Sequence, residues 1–207
     1  MYRFCNARVD AGCIIMAAIL FWMGNSIAGK KMGSRRVQGI WKRIWERLGV
    51  CVMPVLAILS IALTAIYSDG NSLWSKLDRT LMARLKYGKM AYTDYGIKLF
   101  GQHIEMVGNG GSIELKGEYF FLDCSYVNIL MTWGIVLLIV VLLLFGYACC
   151  KNRKDLYFQY AIALIAVNCV IAHHMMDIAY NPFILAVLAA NMMRNNSKGI
   201  EKTYEKA

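Results

Sequence analysis

The positions of the charged residues constrain this chain more than any other feature. Five stretches contain no Asp, Glu, Lys or Arg: 11–29, 48–68, 124–150, 156–176 and 178–193, which are 19, 21, 27, 21 and 16 residues long. A charge at the centre of a bilayer costs at least about 2.5–3.5 kcal/mol. About 20 apolar residues cross the roughly 30 Å of hydrocarbon as a helix. The gaps therefore predict membrane-spanning helices, since backbone polar groups in lipid must be satisfied inside the segment. The last gap is short and spans only if flanking residues snorkel or the bilayer thins. At 58% hydrophobic and 17% charged residues, the 207-residue chain is also more apolar than soluble domains are. The expected fold is all-α: a polytopic helical membrane domain over 1–207 with about five spans, near 11–29, 48–68, 125–148, 156–174 and 178–193. One large extracytoplasmic loop is expected at about 69–123.

A net charge of +10 could mean a nucleic-acid partner, but the charges lie beside the spans. Lys30, Lys31, Arg35, Arg36, Lys42, Arg43 and Arg47 follow the first span, against Glu46 alone. Lys151, Arg153 and Lys154 follow the third, and Arg194, Lys198, Lys202 and Lys206 lie in the tail. By the positive-inside rule all three groups are cytoplasmic. Five alternating helices satisfy the three assignments together, with the amino terminus, the 68–123 loop and the turn near Asp177 outside. That outer loop carries seven basic and seven acidic residues and is neutral. The amino-terminal stretch is too long for a signal-peptide core and lacks a convincing cleavage site, so it reads as a span. An odd helix count with the terminus outside suggests part of something longer. Ile40, Trp41, Ile44, Trp45 and Leu48 recur at helical spacing among charges, which predicts a short helix in the headgroup region that anchors the second span. The seven cysteines lack the spacing of a zinc site or a disulfide framework.

The outer loop has its own pattern. Leu73, Leu77, Leu81, Met82 and Leu85 predict a surface helix from 75 to about 95, with Arg79 and Arg84 on its polar side. The glycine-rich turn at 108–111 lacks the lysine and hydroxyl of a phosphate loop. No dinucleotide fingerprint, nucleophile elbow or zinc signature occurs, so no nucleotide chemistry, cofactor or metal is expected. What remains is arginines, carboxylates and histidines at the outer face. An arginine fork suits phosphate and pyrophosphate, and a carboxylate or histidine can take a hydroxyl proton. The set fits group transfer from a lipid pyrophosphate; it fits equally a solvated loop with ordinary ion pairs. His173 and His174, at the end of the fourth span, are functional candidates or interfacial caps.

Three segments carry a family resemblance: Leu99-Phe-Gly-Gln102, Leu122-Asp-Cys-Ser-Tyr126 entering a helix with Gly134, and His174-Met-Met-Asp-Ile-Ala-Tyr-Asn-Pro-Phe183. Together they resemble the last third of Wzy-like polysaccharide polymerases of Gram-positive bacteria, relatives of O-antigen polymerases and ligases. The resemblance covers about 77 to 190. It implies transfer of a growing glycan from undecaprenyl pyrophosphate onto another lipid-linked repeat unit, at the outer face of a bacterial cytoplasmic membrane. It also implies that Arg84, then Arg79, hold the pyrophosphate, and that Tyr126, Asp177 and Asn181 contribute to substrate binding. His103, Asp123 and His174 are the candidate bases, in no fixed order. The implied partners are the lipid-linked glycan, membrane lipid, and chain-length regulator or flippase proteins. The family has around ten or more spans and this chain offers five, so an inactive remnant stays open. A ligase using the same loop, or a non-catalytic transport or assembly subunit, are the rival readings. Spans nearly free of charge argue against transport.

Overall fold

The computed structural model describes residues 8–28, 35–69, 72–81, 83–107, 119–177 and 181. Among them the named elements are all helical: α1 (Arg8–Ala28), α2 (Arg35–Ile66), α3 (Ser72–Thr80), α4 (Arg84–Tyr95), α5 (Ser125–Asn128), a π turn (Ile129–Trp133), α6 (Gly134–Lys151), α7 (Leu156–Asn168) and a 3₁₀ turn (His174–Met176). A lone antiparallel bridge joins Val107 to Phe120. Two helical stretches, Gly39–Ile66 and Ser125–Lys151, are long and apolar enough to cross a membrane. Shorter apolar stretches lie in α1 and α7. The expected fifth span at 178–193 lies outside the described residues except for Asn181, as does the glycine turn at 108–111.

Contacts at the helix ends set the helix directions. Near the start of α7, Tyr160 accepts a hydrogen bond from the Trp41 indole at 2.9 Å, and Tyr157 stacks on Phe21, late in α1, at 5.4 Å. Buried Gln159 donates to the carbonyls of Cys149 and Asn152, at the end of α6. At the opposite end the Ser125 N–H donates to the carbonyl of Cys169, just past α7. So α2 and α7 run one way, and α1 and α6 the other. Lys42, Arg43, Arg47, Lys151, Arg153 and Lys154 all gather at one end, called here the basic end. Ile66, Arg84, Asp123 and His173 lie at the far end.

Between the ends the core is made of Met53 and Ala57 from α2, Leu138, Val141 and Phe145 from α6, and Ile162 and Ala166 from α7. Small residues recur where helices touch. A Cβ on Gly49 would fall on the Gln159 amide oxygen, so the Gln159 side chain occupies the space that a side chain at position 49 would take.

Three elements differ from the sequence expectation. The amphipathic stretch around Trp41 and Trp45 is not a separate surface helix; it is the first part of continuous α2, roughly 48 Å long at 1.5 Å per residue. Its tryptophans face α7, with Trp45 set edge-on to Tyr160 at 4.6 Å, while Ile40, Ile44 and Leu48 of the same stripe stay exposed. Pro54 lies within α2 without ending it. The surface helix from 75 to 95 is split, because Asp78 turns inward and its Oδ1 accepts the N–H groups of Leu85 (2.9 Å) and Lys86 (3.2 Å). That carboxylate caps α4 from the preceding helix, and Ala83 takes a left-handed φ of 63° to make the corner. Finally, α7 ends at Asn168, short of the predicted 174, and the carbonyls beyond it are taken by other elements.

Candidate functional site

Those carbonyls build the site. The hydroxyl of Ser125, at the start of α5, donates to Ala172 O and accepts from the Met175 N–H at 3.2 Å. Arg84, the first residue of α4, donates from Nε to Ile171 O at 2.6 Å and from one terminal nitrogen to Leu81 O at 3.0 Å. The 169–177 segment thereby crosses the far end of the bundle as turns and a short 3₁₀ piece, outside any α-helix, and His173 is carried to Asp123.

The geometry runs in one line. The second terminal nitrogen of Arg84 lies 3.5 Å from Asp123 Oδ2, and Asp123 Oδ1 lies 3.8 Å from His173 Nδ1. The second distance is beyond hydrogen-bond range, so it is an electrostatic contact that tightens only with movement or protonation. Phe121 meets the His173 ring edge-on at 5.0 Å, and His174 lies against it at 4.2 Å. Burial, then the neighbouring His174, hold the His173 imidazole below its ordinary range, while Asp123 and Asp177 act in the opposite direction. A neutral imidazole beside a carboxylate can accept a proton and be stabilised once it has done so. Tyr119, paired with Tyr87 at 5.4 Å, flanks the site; burial and then the Asp123 charge raise its phenol. Below Arg84 is an apolar cavity of about 70 Å³, lined by Leu59 and Leu63 of α2, Leu81, Leu85 and Val170.

The residues singled out by sequence divide into three groups. Arg84 and Asp123 come together, with His174 adjacent through its ring contact with His173. Arg79 and His103 are exposed, and neither enters the Arg84–Asp123–His173 chain of contacts. Asp177 is exposed, and its carbonyl accepts the Asn181 N–H at 2.7 Å. Tyr126 and Asn181 are buried and bonded inward: the Tyr126 hydroxyl donates to Ala166 O at 2.9 Å, and the Asn181 amide donates to Met175 O at 2.9 Å. Both support the fold of the site and do not line it.

Sequence reasoning named His173 with His174 as functional candidates but put only His174 among the candidate bases. No periodicity separates two consecutive histidines; the break of α7 decides which one turns to Asp123. Asp78 was likewise invisible, since its partners lie seven and eight residues on. Among the described residues no three His, Cys, Asp or Glu side chains converge where a metal ion could sit. Comparison with protein-family models, curated proteins and solved structures returned no match.

Proposed function

We propose that this chain is a membrane protein of about five spans, basic end in the cytoplasm, and that its far end joins lipid-linked glycan units. The fifth span and the Wzy-like polymerase family are part of the proposal. The observation that carries it is the line of Arg84, Asp123 and His173, with Arg84 also lining an apolar cavity, at the end opposite the basic residues. In this reading an acceptor sugar hydroxyl gives its proton to His173 while its oxygen attacks the anomeric carbon of the donor. The bond from that carbon to the pyrophosphate breaks, and the lipid pyrophosphate departs with its charge offset by Arg84. Asp123 stabilises the imidazolium that remains. Charge stabilisation of this kind needs no metal in principle.

A second reading is favoured by a specific observation. Arg84 already donates to the carbonyls of Ile171 and Leu81 and pairs with Asp123 at 3.5 Å, which is how a purely structural tie would look. The two separate in proteoliposomes given lipid-pyrophosphate-linked repeat units, with product length read on a gel. His173→Gln keeps Arg84 and its ties. Loss of chain extension in that variant, with the protein still folded, supports the transfer reading; wild-type product length overturns it. Supplying a different acceptor in the same assay distinguishes a polymerase from a ligase.

A further inference from the structure

The far end holds a second construction, a helix break and the loop that fills it. Gly134 has φ 91° and Gly101 φ 83°, and each lies against the other's strand of backbone. A Cβ on Gly101 would overlap Thr132 and Trp133, and one on Gly134 would overlap Leu99 and Gly101. Through this contact the loop serves the start of α6: the N–H groups of Ile135 and Val136 donate to the carbonyls of Lys98 and Leu99, both at 3.2 Å. In return the Gln102 N–H donates to Thr132 O at 3.0 Å, and the Gln102 amide donates to Gly96 O at 2.7 Å.

The tied loop turns apolar side chains outward: Phe100 is 83% exposed, Leu99 61% and Trp133 58%. We propose that loop 97–100, with Trp133, is a wedge inserted into the outer leaflet, its partner the headgroup and upper acyl region of a phospholipid bilayer. This rests on the membrane reading of α6 and is independent of the transfer chemistry. Three observations carry it. The wedge continues the exposed apolar face of α6, formed by Ile139, Leu143 and Tyr147. The 18 residues of α6 cover about 27 Å, close to the hydrocarbon thickness, so with Lys151 at one boundary Trp133 falls at the other, where tryptophan is favoured. Non-helical backbone is tolerated at that depth only where its polar groups are satisfied, and the carbonyls of Gly96, Lys98 and Leu99 all accept hydrogen bonds.

The consequence is positional. The loop follows directly on α4, whose first residue is Arg84, so the wedge sets the height of the charged line above the membrane. The test places the photoreactive residue benzoylphenylalanine at position 100, with controls at 143 and 76. Each variant is reconstituted in phosphatidylglycerol–phosphatidylethanolamine nanodiscs, irradiated, and its adducts identified by mass spectrometry. Lipid adducts at 100 and 143 but not at 76 are expected. Adducts at 143 with none at 100, or adducts at 100 to a second copy of the chain, overturn the wedge. If 143 also yields no lipid adduct, the membrane reading of α6 fails with it.

Discussion

The basic end of the bundle buries its polar groups, and the far end leaves its charged line partly open to solvent. At the basic end Gln159 is enclosed between Gly49 and the carbonyls of Cys149 and Asn152, while Tyr160 takes the Trp41 indole at 2.9 Å. At the far end the charged partners stand 3.5 and 3.8 Å apart, beside a cavity, on chain that has left its helix. The donors of Gln159 are met by two carbonyls while its amide oxygen packs on Gly49 with no hydrogen-bond partner, so the basic end is held by donation and close packing. Groups that exchange partners during a reaction gain from looser spacing, and catalytic contacts are often long before substrate arrives. The difference teaches where to look for chemistry and where for stability.

Substitutions can break or sharpen that division. Arg84→Ala has the largest expected effect: loss of an aimed cationic donor costs about 10²–10³ in rate, and loss of the tie to Ile171 also lowers the heat-denaturation midpoint. Arg84→Lys keeps the charge but not the fork; full chain extension by this variant would show that charge alone suffices. His173→Gln follows, with a fall in extension of about 10²-fold or more expected for a lost base. His174→Gln is expected to do less, and equal loss from both would remove the distinction between the two histidines. At the basic end, Gly49→Leu should destabilise by about 1–3 kcal/mol through overpacking against Gln159. Its thermal midpoint in detergent should fall while activity per folded molecule holds; the reverse pattern would erase the comparison between the ends.

Two smaller effects bear on the far end alone. Asp78→Ala removes the cap of α4 and should cost about 1 kcal/mol, visible as faster amide exchange at Leu85 and Lys86. The pH profile gives the last. Because His173 is held below its ordinary range, it stays neutral at neutral pH, and activity should fall only as acid protonates it. Asp123 raises that imidazole, so Asp123→Asn should move the acid limb of the rate profile to lower pH. An acid limb that stays in place or moves up would remove His173 from the role of base.

Much of the helical plan was legible because long charge-free apolar runs favour helices: two became helices of membrane length, and the basic residues gather at one end, although the 156–176 run ends its helix at Asn168. The candidate site was legible in part. Arg84 was legible on the polar side of the loop helix and Asp123 through the same short motif as Tyr126, and the structure brings the two charges together. Tyr126 and Asn181 stood out only as residues of short motifs, and both are bonded into the interior. The split between α3 and α4 was hidden because the Leu73–Leu85 spacing is helical throughout, and a buried Asp78 overrides local propensity with two hydrogen bonds.

By itself, then, the sequence determined that the described residues fold as helices and where the two apolar helices of membrane length lie, because hydrophobic runs free of charge act residue by residue. Only the tertiary structure decided that α7 stops at Asn168, that His173 and not His174 meets Asp123, and that a loop with Phe100 caps the break at Gly134. Those outcomes depend on which carbonyls Ser125 and Arg84 reach, and on two glycines far apart in the chain closing against each other. Partners that distant leave no periodic trace.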